Sequence, residues 1–304
     1  MTPDLAAKEP TRPARGRAVS AARIVLRTLL ALLLGAIAVF GAIALVRQGL
    51  VPLMDALFHP GPAVLSIVRR IGIFVAALGG YAAWVRLFEH RSVAELHPRP
   101  LQALLGGAAG ASMIGAPIAL LFALGAYQVV LFRGASPALW GVAALILIAA
   151  MLEELVYRAL LFRVLERAVG TGVALAVQAL AFALAHVENL AHGSAIDIAT
   201  MLASVAILGL LWGGLFVLTR NLWVGVAHHA AWNFTILLSG VPLSGIDDWR
   251  ALPPLASRYA GPAWLTGGAF GPESSLLVIA TTMLATAGLL RRAQQRGCFR
   301  RREA

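Results

Sequence analysis

Cysteine is nearly absent from this chain: Cys298, near the C-terminus, is the only one in 304 residues. A single thiol excludes an internal disulfide and a cysteine-built metal site. It also stands too far from the C-terminus for a prenylation box, which leaves a free thiol or, less simply, an acylated one. Lysine is as scarce, since Lys8 is the only one among 25 basic residues. Arginine in its place, with abundant alanine, points to a GC-rich bacterial genome. Charge of either sign is thin, at 13% of residues, where a soluble domain carries roughly 25%. With 60% hydrophobic residues and a mean hydropathy of +0.81, this excludes an ordinary soluble domain. There is no internal repeat, which argues against a transporter built from inverted halves. There is no glycine-rich phosphate loop in a strand–helix setting, and no strands are expected at all.

The net charge is +11. A basic balance can serve nucleic acid. Here, however, the arginines gather at the chain ends and in short loops beside apolar runs. That placement fits anionic lipid headgroups and control of topology, so no nucleic-acid partner is expected. Residues 1–23 are polar, basic and interrupted by Pro3, Pro10 and Pro13, the composition of a disordered arm. Residues 24–292 form the transmembrane domain, with a motif core at 138–240, and 293–304 form a basic tail.

Eight apolar runs approach the roughly 20 residues that a bilayer requires. They lie near 28–46, 71–88, 103–132, 138–164, 172–187, 198–219, 222–240 and 274–290. The first is too long for a signal-peptide core and is read as retained. The third holds Gly115 and Pro117 and is expected to kink or break. An even number of spans puts both termini on one side. Counting loop arginines makes that side cytoplasmic, in the plasma membrane of a bacterium. It collects Arg91, Arg99, Arg167, Arg220 and the tail, and leaves Arg47, Arg69, Arg70, Arg133, Arg250 and Arg258 opposite. The stretch VLSIVRR has an alternative placement along the interface. The expected fold class is therefore all-α, a polytopic transmembrane bundle of about eight spans. The loop LTGGAFGPESS, which holds Glu273, reads as a turn into the last span, or alternatively as a gate on lateral access.

The fourth run contains MLEELVYR, with Glu153, Glu154 and Arg158. Each charge at the centre of a span costs about 2.5–3.5 kcal/mol on insertion scales. Glu154 and Arg158 are four apart, on one helical face, in the favoured acid-before-base order. Glu153 is turned about 100° away and has no local partner. One glutamate thus reads as structural and the other as free to act. The alternative is a buried ion pair that only fixes helix register.

Two further runs carry polar groups. LAFALAHVEN places Phe182 four residues before His186, and LWVGVAHHAAWNF places His229 and Asn233 four apart on one face, with His228 and Trp232 directed elsewhere. Within a bilayer such groups need partners and converge on a bundle interior or a wet cavity. A carboxylate and a histidine can draw a proton from one water. A second histidine and an amide can hold a developing oxyanion. That is a hydrolase with no serine or cysteine nucleophile. Zinc on the glutamates and histidines is the alternative. It is disfavoured because HExxH is missing and a carboxylate paired with arginine is a poor ligand, so no cofactor is expected. Two non-hydrolytic readings also stand, a membrane scaffold or immunity protein and a proton relay.

These residues resemble the CPBP family of CAAX proteases and bacteriocin-processing proteins, the abortive-infection type of membrane protease. Its motif EExxxR is matched by Glu153, Glu154 and Arg158, FxxxH by Phe182 and His186, and HxxxN by His229 and Asn233. The resemblance covers about 138–240 with every motif position filled. It implies an intramembrane glutamic endopeptidase with a conical cavity open to the cytoplasmic side and the membrane. In that scheme Glu153 is the general base, His186 helps to activate water, Glu154 and Arg158 order the site, and His229 and Asn233 stabilise the oxyanion. The implied substrate is a membrane-associated or lipid-modified protein or peptide. Anionic lipids are expected partners of the basic tails. The sequence leaves the natural substrate and the oligomeric state open.

Overall fold

The computed structural model describes residues 14–190, 192–246 and 249–301. The arm expected over 1–23 lies outside the described residues as far as position 13. From Ala14 the chain is already helix α1 (Ala14–Ala44), which runs on through a π-helical turn, Leu45–Leu50, into α2 (Val51–Phe58). Helices α3 (Pro62–Phe88) and α4 (Pro100–Ala123) follow, so VLSIVRR is the opening of a long helix and not a separate surface segment. Helix α5 (Ala138–Glu153) passes into a π-helical segment, Glu154–Phe162, and then α6 (Arg163–Val169), 32 residues without a break. Helices α7 (Thr171–Leu184), α8 (Ala195–Thr219) and α9 (Leu222–Leu238) follow, with Phe182 on α7, His186 just beyond it and His229 and Asn233 on α9, and α11 (Leu276–Gln295) closes the bundle after the short α10 (Ala263–Thr266).

All eight apolar runs contain helices, and six of these are long and apolar enough to cross a membrane. The chain is a multi-pass membrane protein. Helices α7 and α9, with 14 and 17 residues, are shorter than the roughly 20 residues a bilayer needs. Both pack on other helices of the bundle, α7 on α8 and α9 on α4.

The third run departs from expectation. Pro117 is accommodated inside α4, and the helix ends at Ala123. Gly125, at φ +74°, turns the chain. YQVVLF then forms strand β1 (Tyr127–Phe132), paired antiparallel with β2 (Leu255–Tyr259). The expectation of no strands is therefore corrected. Aromatic and β-branched residues suit a pleated surface better than a helix, and the Tyr127 and Tyr259 rings stack 5.1 Å apart across the ladder.

Close helix contacts depend on small residues. A methyl at Gly110 of α4 would overlap the His228 carbonyl of α9, so these two backbones meet at a spacing only glycine allows. Helix α8 begins with a reciprocal capping box between Ser194 and Asp197, and α9 with Asn221 accepting from the Trp223 N–H. Lipid-facing positions remain apolar, as along α1, where Leu29, Leu33, Ile37 and Phe40 are exposed.

Hydrogen bonds sort the arginines to two ends. Arg163 and Arg167 bind Glu89, Arg91 binds Glu89 and Glu95, Arg220 binds Glu166, and Arg99 reaches the Thr219 carbonyl. The tail is drawn to this end, where the Arg300 N–H donates to Thr171 Oγ1 at 2.8 Å. At the other end Arg70 donates to the Gly141 carbonyl, Arg133 to the Arg250 carbonyl and Arg258 to Gln128.

Candidate active site

The motif residues meet where the α5–π junction, α7, α8 and α9 converge. Glu154 is 1% exposed and Arg158 is fully buried, with Arg158 Nη1 3.1 Å from Glu154 Oε1. The same oxygen accepts from His229 Nδ1 at 3.1 Å. Gly225 makes room for this carboxylate, since a β-carbon there would lie 2.8 Å from Glu154 Oε2. Among the described residues Arg158 Nε and Nη1 have no hydrogen-bond partner. The guanidinium is instead compensated by the Glu154 charge and by aromatic faces, 4.5 Å from the Phe182 centroid and 5.5 Å from that of Trp212. Phe182 thus packs directly on the Arg158 guanidinium.

Glu153 has the opposite fate. Its side chain is 32% exposed and lines a cavity of about 90 Å³ together with Phe182, His186, Trp212, His229 and Asn233. That volume is well above the roughly 10–15 Å³ needed to hold a water. Glu153 Oε2 accepts no hydrogen bond among the described residues, and His229 Nε2 lies 3.7 Å from it. His229 therefore stands between the two glutamates, Nδ1 on the sealed one and Nε2 towards the open one.

Histidine protons follow from their partners. His186 Nδ1 lies 2.8 Å from the Phe182 carbonyl. A carbonyl only accepts, so Nδ1 carries the hydrogen, and in the neutral ring Nε2 keeps the lone pair. His228 is buried and accepts at Nδ1 from Trp212 Nε1 at 3.0 Å. Asn233 lines the cavity with its Oδ1 unpartnered among the described residues.

The structure thus gathers all seven motif residues. Four of them, Glu153, His186, His229 and Asn233, meet at the cavity with Phe182, while Glu154 and Arg158 stay behind its wall. Sequence reasoning missed Trp212, whose ring stacks on His229 at 3.7 Å between centroids and 18° between planes. Its place in the glycine-rich LLWGG was the available signal. Glu273 was read as part of a turn, yet it lines the same cavity. Among the described residues no three His, Cys, Asp or Glu side chains are placed to hold a metal ion.

Residues 135–235 match the family described as type II CAAX prenyl endopeptidase Rce1-like. This is an Rce1-like segment of the CAAX protease family. It runs from just ahead of α5 into α9, covers about a third of the chain and contains all seven motif residues. No curated protein and no solved structure matches the chain. The Rce1-like family points to an intramembrane protease acting on a membrane-associated protein or peptide.

Proposed function

We propose that this protein is an intramembrane endopeptidase that hydrolyses a peptide bond of a membrane-associated or lipid-modified protein or peptide, using water activated by Glu153 and His186 and no metal. The observation that carries the reading is the split between adjacent glutamates. Glu154 is sealed by Arg158 and His229, whereas Glu153 stands in a water-sized cavity with an unpartnered oxygen. Glu153 takes the proton of the attacking water, and His186 Nε2 orients that water by accepting its second hydrogen. Asn233 and His229 face the oxyanion that forms. The Glu154 carboxylate accepts from His229 Nδ1 and so holds the ring with Nε2 towards the cavity. A zinc-dependent version fits less well, because Glu154 is committed to Arg158. The proposed setting is a bacterial plasma membrane with both termini cytoplasmic and the basic tail near anionic lipid.

The test is cleavage of quenched peptides, farnesylated and not, by detergent-purified protein with and without a chelator. Replacing Glu153→Ala is expected to abolish cleavage with unfolding unchanged, and chelator is expected to have no effect. Cleavage by the variant at the wild-type rate would overturn the mechanism, and chelator-sensitive cleavage would move it to a metal.

A further inference from the structure

Glu273 stands in the short turn Pro272–Ser274 ahead of α11, outside the Rce1-like segment. It is 3% exposed and shares the cavity with Glu153, His186, His229 and Asn233. Its Oε2 accepts two hydrogen bonds from Ser244, from N–H at 2.9 Å and from Oγ at 2.8 Å. Oε1 accepts none from the described residues. The turn itself is fixed by Ser204 Oγ of α8, which donates to the Glu273 carbonyl at 2.6 Å. No lysine or arginine is among the described residues that line the cavity. A buried carboxylate with no lysine or arginine beside it is costly, and a neutral acid much less so. Burial accordingly pushes the Glu273 carboxyl up to about 7, against the pull of the Ser244 hydrogen bonds and the His229 charge and with the push of Glu153. The groups facing it are Glu153 of α5, His186 beyond α7, His229 of α9 and Ser244 of the loop that closes the cavity, with Tyr259 of β2 near enough to feel its charge.

We propose that Glu273 is the general acid of this site, protonating the leaving amine nitrogen while Glu153 takes the proton of the attacking water. The proposal rests on the peptidase reading. In the first step the water oxygen bonds to the scissile carbon, one water proton moves to Glu153, and the carbonyl becomes an oxyanion. In the second the oxyanion collapses, the C–N bond breaks, and nitrogen takes the proton of Glu273 to leave as a neutral amine. Glu153 is then protonated and Glu273 ionised, and one proton passed across cavity water restores both. Two carboxyls held in different protonation states by their surroundings divide acid from base duty. The competing role is mechanical, a latch in which Glu273 only holds the Ser244 loop.

Glu273→Gln separates the two, because its amide oxygen can still accept from Ser244 while the acid proton is gone. Two quenched probes of one peptide sequence are compared in the full-length protein, one with an amide at the scissile bond and one with an activated ester whose leaving group needs no proton. General acid catalysis contributes about 100-fold or more. E273Q is therefore expected to lose at least about 100-fold in amide cleavage and far less in ester cleavage, while E153Q loses both. In wild type, kcat/KM for the amide falls as pH rises through about 7. Ser244→Ala, which weakens stabilisation of the ionised form, moves that limb to higher pH. Amide and ester lost equally in E273Q, an unchanged amide rate, or a limb that S244A leaves in place would each overturn the proposal and leave the peptidase reading standing. Wild-type protein that cleaves neither probe would overturn both.

Discussion

Gly225→Ala adds one methyl group to α9 and tests whether Glu154 is held as tightly as the geometry says. The new carbon would lie 2.8 Å from Glu154 Oε2 and 3.4 Å from its Cδ, so the carboxylate must retreat by about half an ångström to reach ordinary contact. A free glutamate tip would move at little cost. This one is held at Oε1 by an ion pair with Arg158 and a hydrogen bond from His229, at 3.1 Å each, and a retreat weakens at least one of them. Hydrogen bonds to charged groups are worth about 1.5–3 kcal/mol, and overpacking typically costs about 1–3 kcal/mol. Replacing glycine by alanine in a helix returns about 1 kcal/mol. The expected net loss is about 1–3 kcal/mol, read as a lower midpoint of thermal unfolding in detergent, with reduced cleavage as His229 loses its anchor. Gly79→Ala in α3 is the control, because a β-carbon there meets nothing within 4 Å. It should stabilise by up to about 1 kcal/mol. A Gly225→Ala protein as stable as wild type, with equal cleavage, would refute the claim that Gly225 and Arg158 jointly fix Glu154.

Trp212→Phe keeps a ring beside His229 but leaves His228 Nδ1 without its donor. A buried acceptor so stranded costs about 1–3 kcal/mol, and a double-mutant cycle with His228→Ala should show clear coupling by thermal unfolding. Glu95, in the turn between α3 and α4, accepts from Arg91 beside it and from Tyr81 of α3. Burial alone would raise its pKa, but hydrogen bonds from Arg91 and Tyr81 outweigh it and hold the carboxyl at about 2. A depressed folded value gives stability that is present above the ordinary 4.5 and lost as pH falls towards 2. Thermal midpoints of wild type should therefore drop across that window, and those of Glu95→Gln should change less.

The helical spans and the motif set were legible because each rests on a local signal. Long apolar runs and polar groups spaced four apart survive any arrangement of the bundle. The strand at Tyr127–Phe132 was not legible, since an apolar run carries the same signal in a helix and in a short buried strand. Its identity comes from a partner, Leu255–Tyr259, more than 120 residues away. Glu273 was hidden for the same reason. A lone acid in a glycine-rich turn reads as surface until the loop holding Ser244 closes over it. The π-helical form of Glu154–Phe162 left no trace in the sequence either, although the Glu154–Arg158 pair predicted on α-helical spacing forms within it. π-Segments concentrate at functional sites, and this one begins between the two glutamates.

Three charges within six residues need not cost three insertion penalties. Glu154 and Arg158 enter the interior as a contact pair, so most of their charge is cancelled before lipid is met. Glu153 has no such cation. A dry position for it would carry the full cost of about 2.5–3.5 kcal/mol or more, and its unpartnered oxygen would have nothing to bind. The cavity resolves this with room for water and with His186, His229 and Asn233 to hold it. Water there lowers the cost of the ionised glutamate and is also the reagent that a hydrolase needs. A site filled with apolar side chains, as by Asn233→Leu, would lose both at once. That variant should fall in stability and in cleavage together, whereas Asn233→Asp, which keeps the cavity wet, should separate the two.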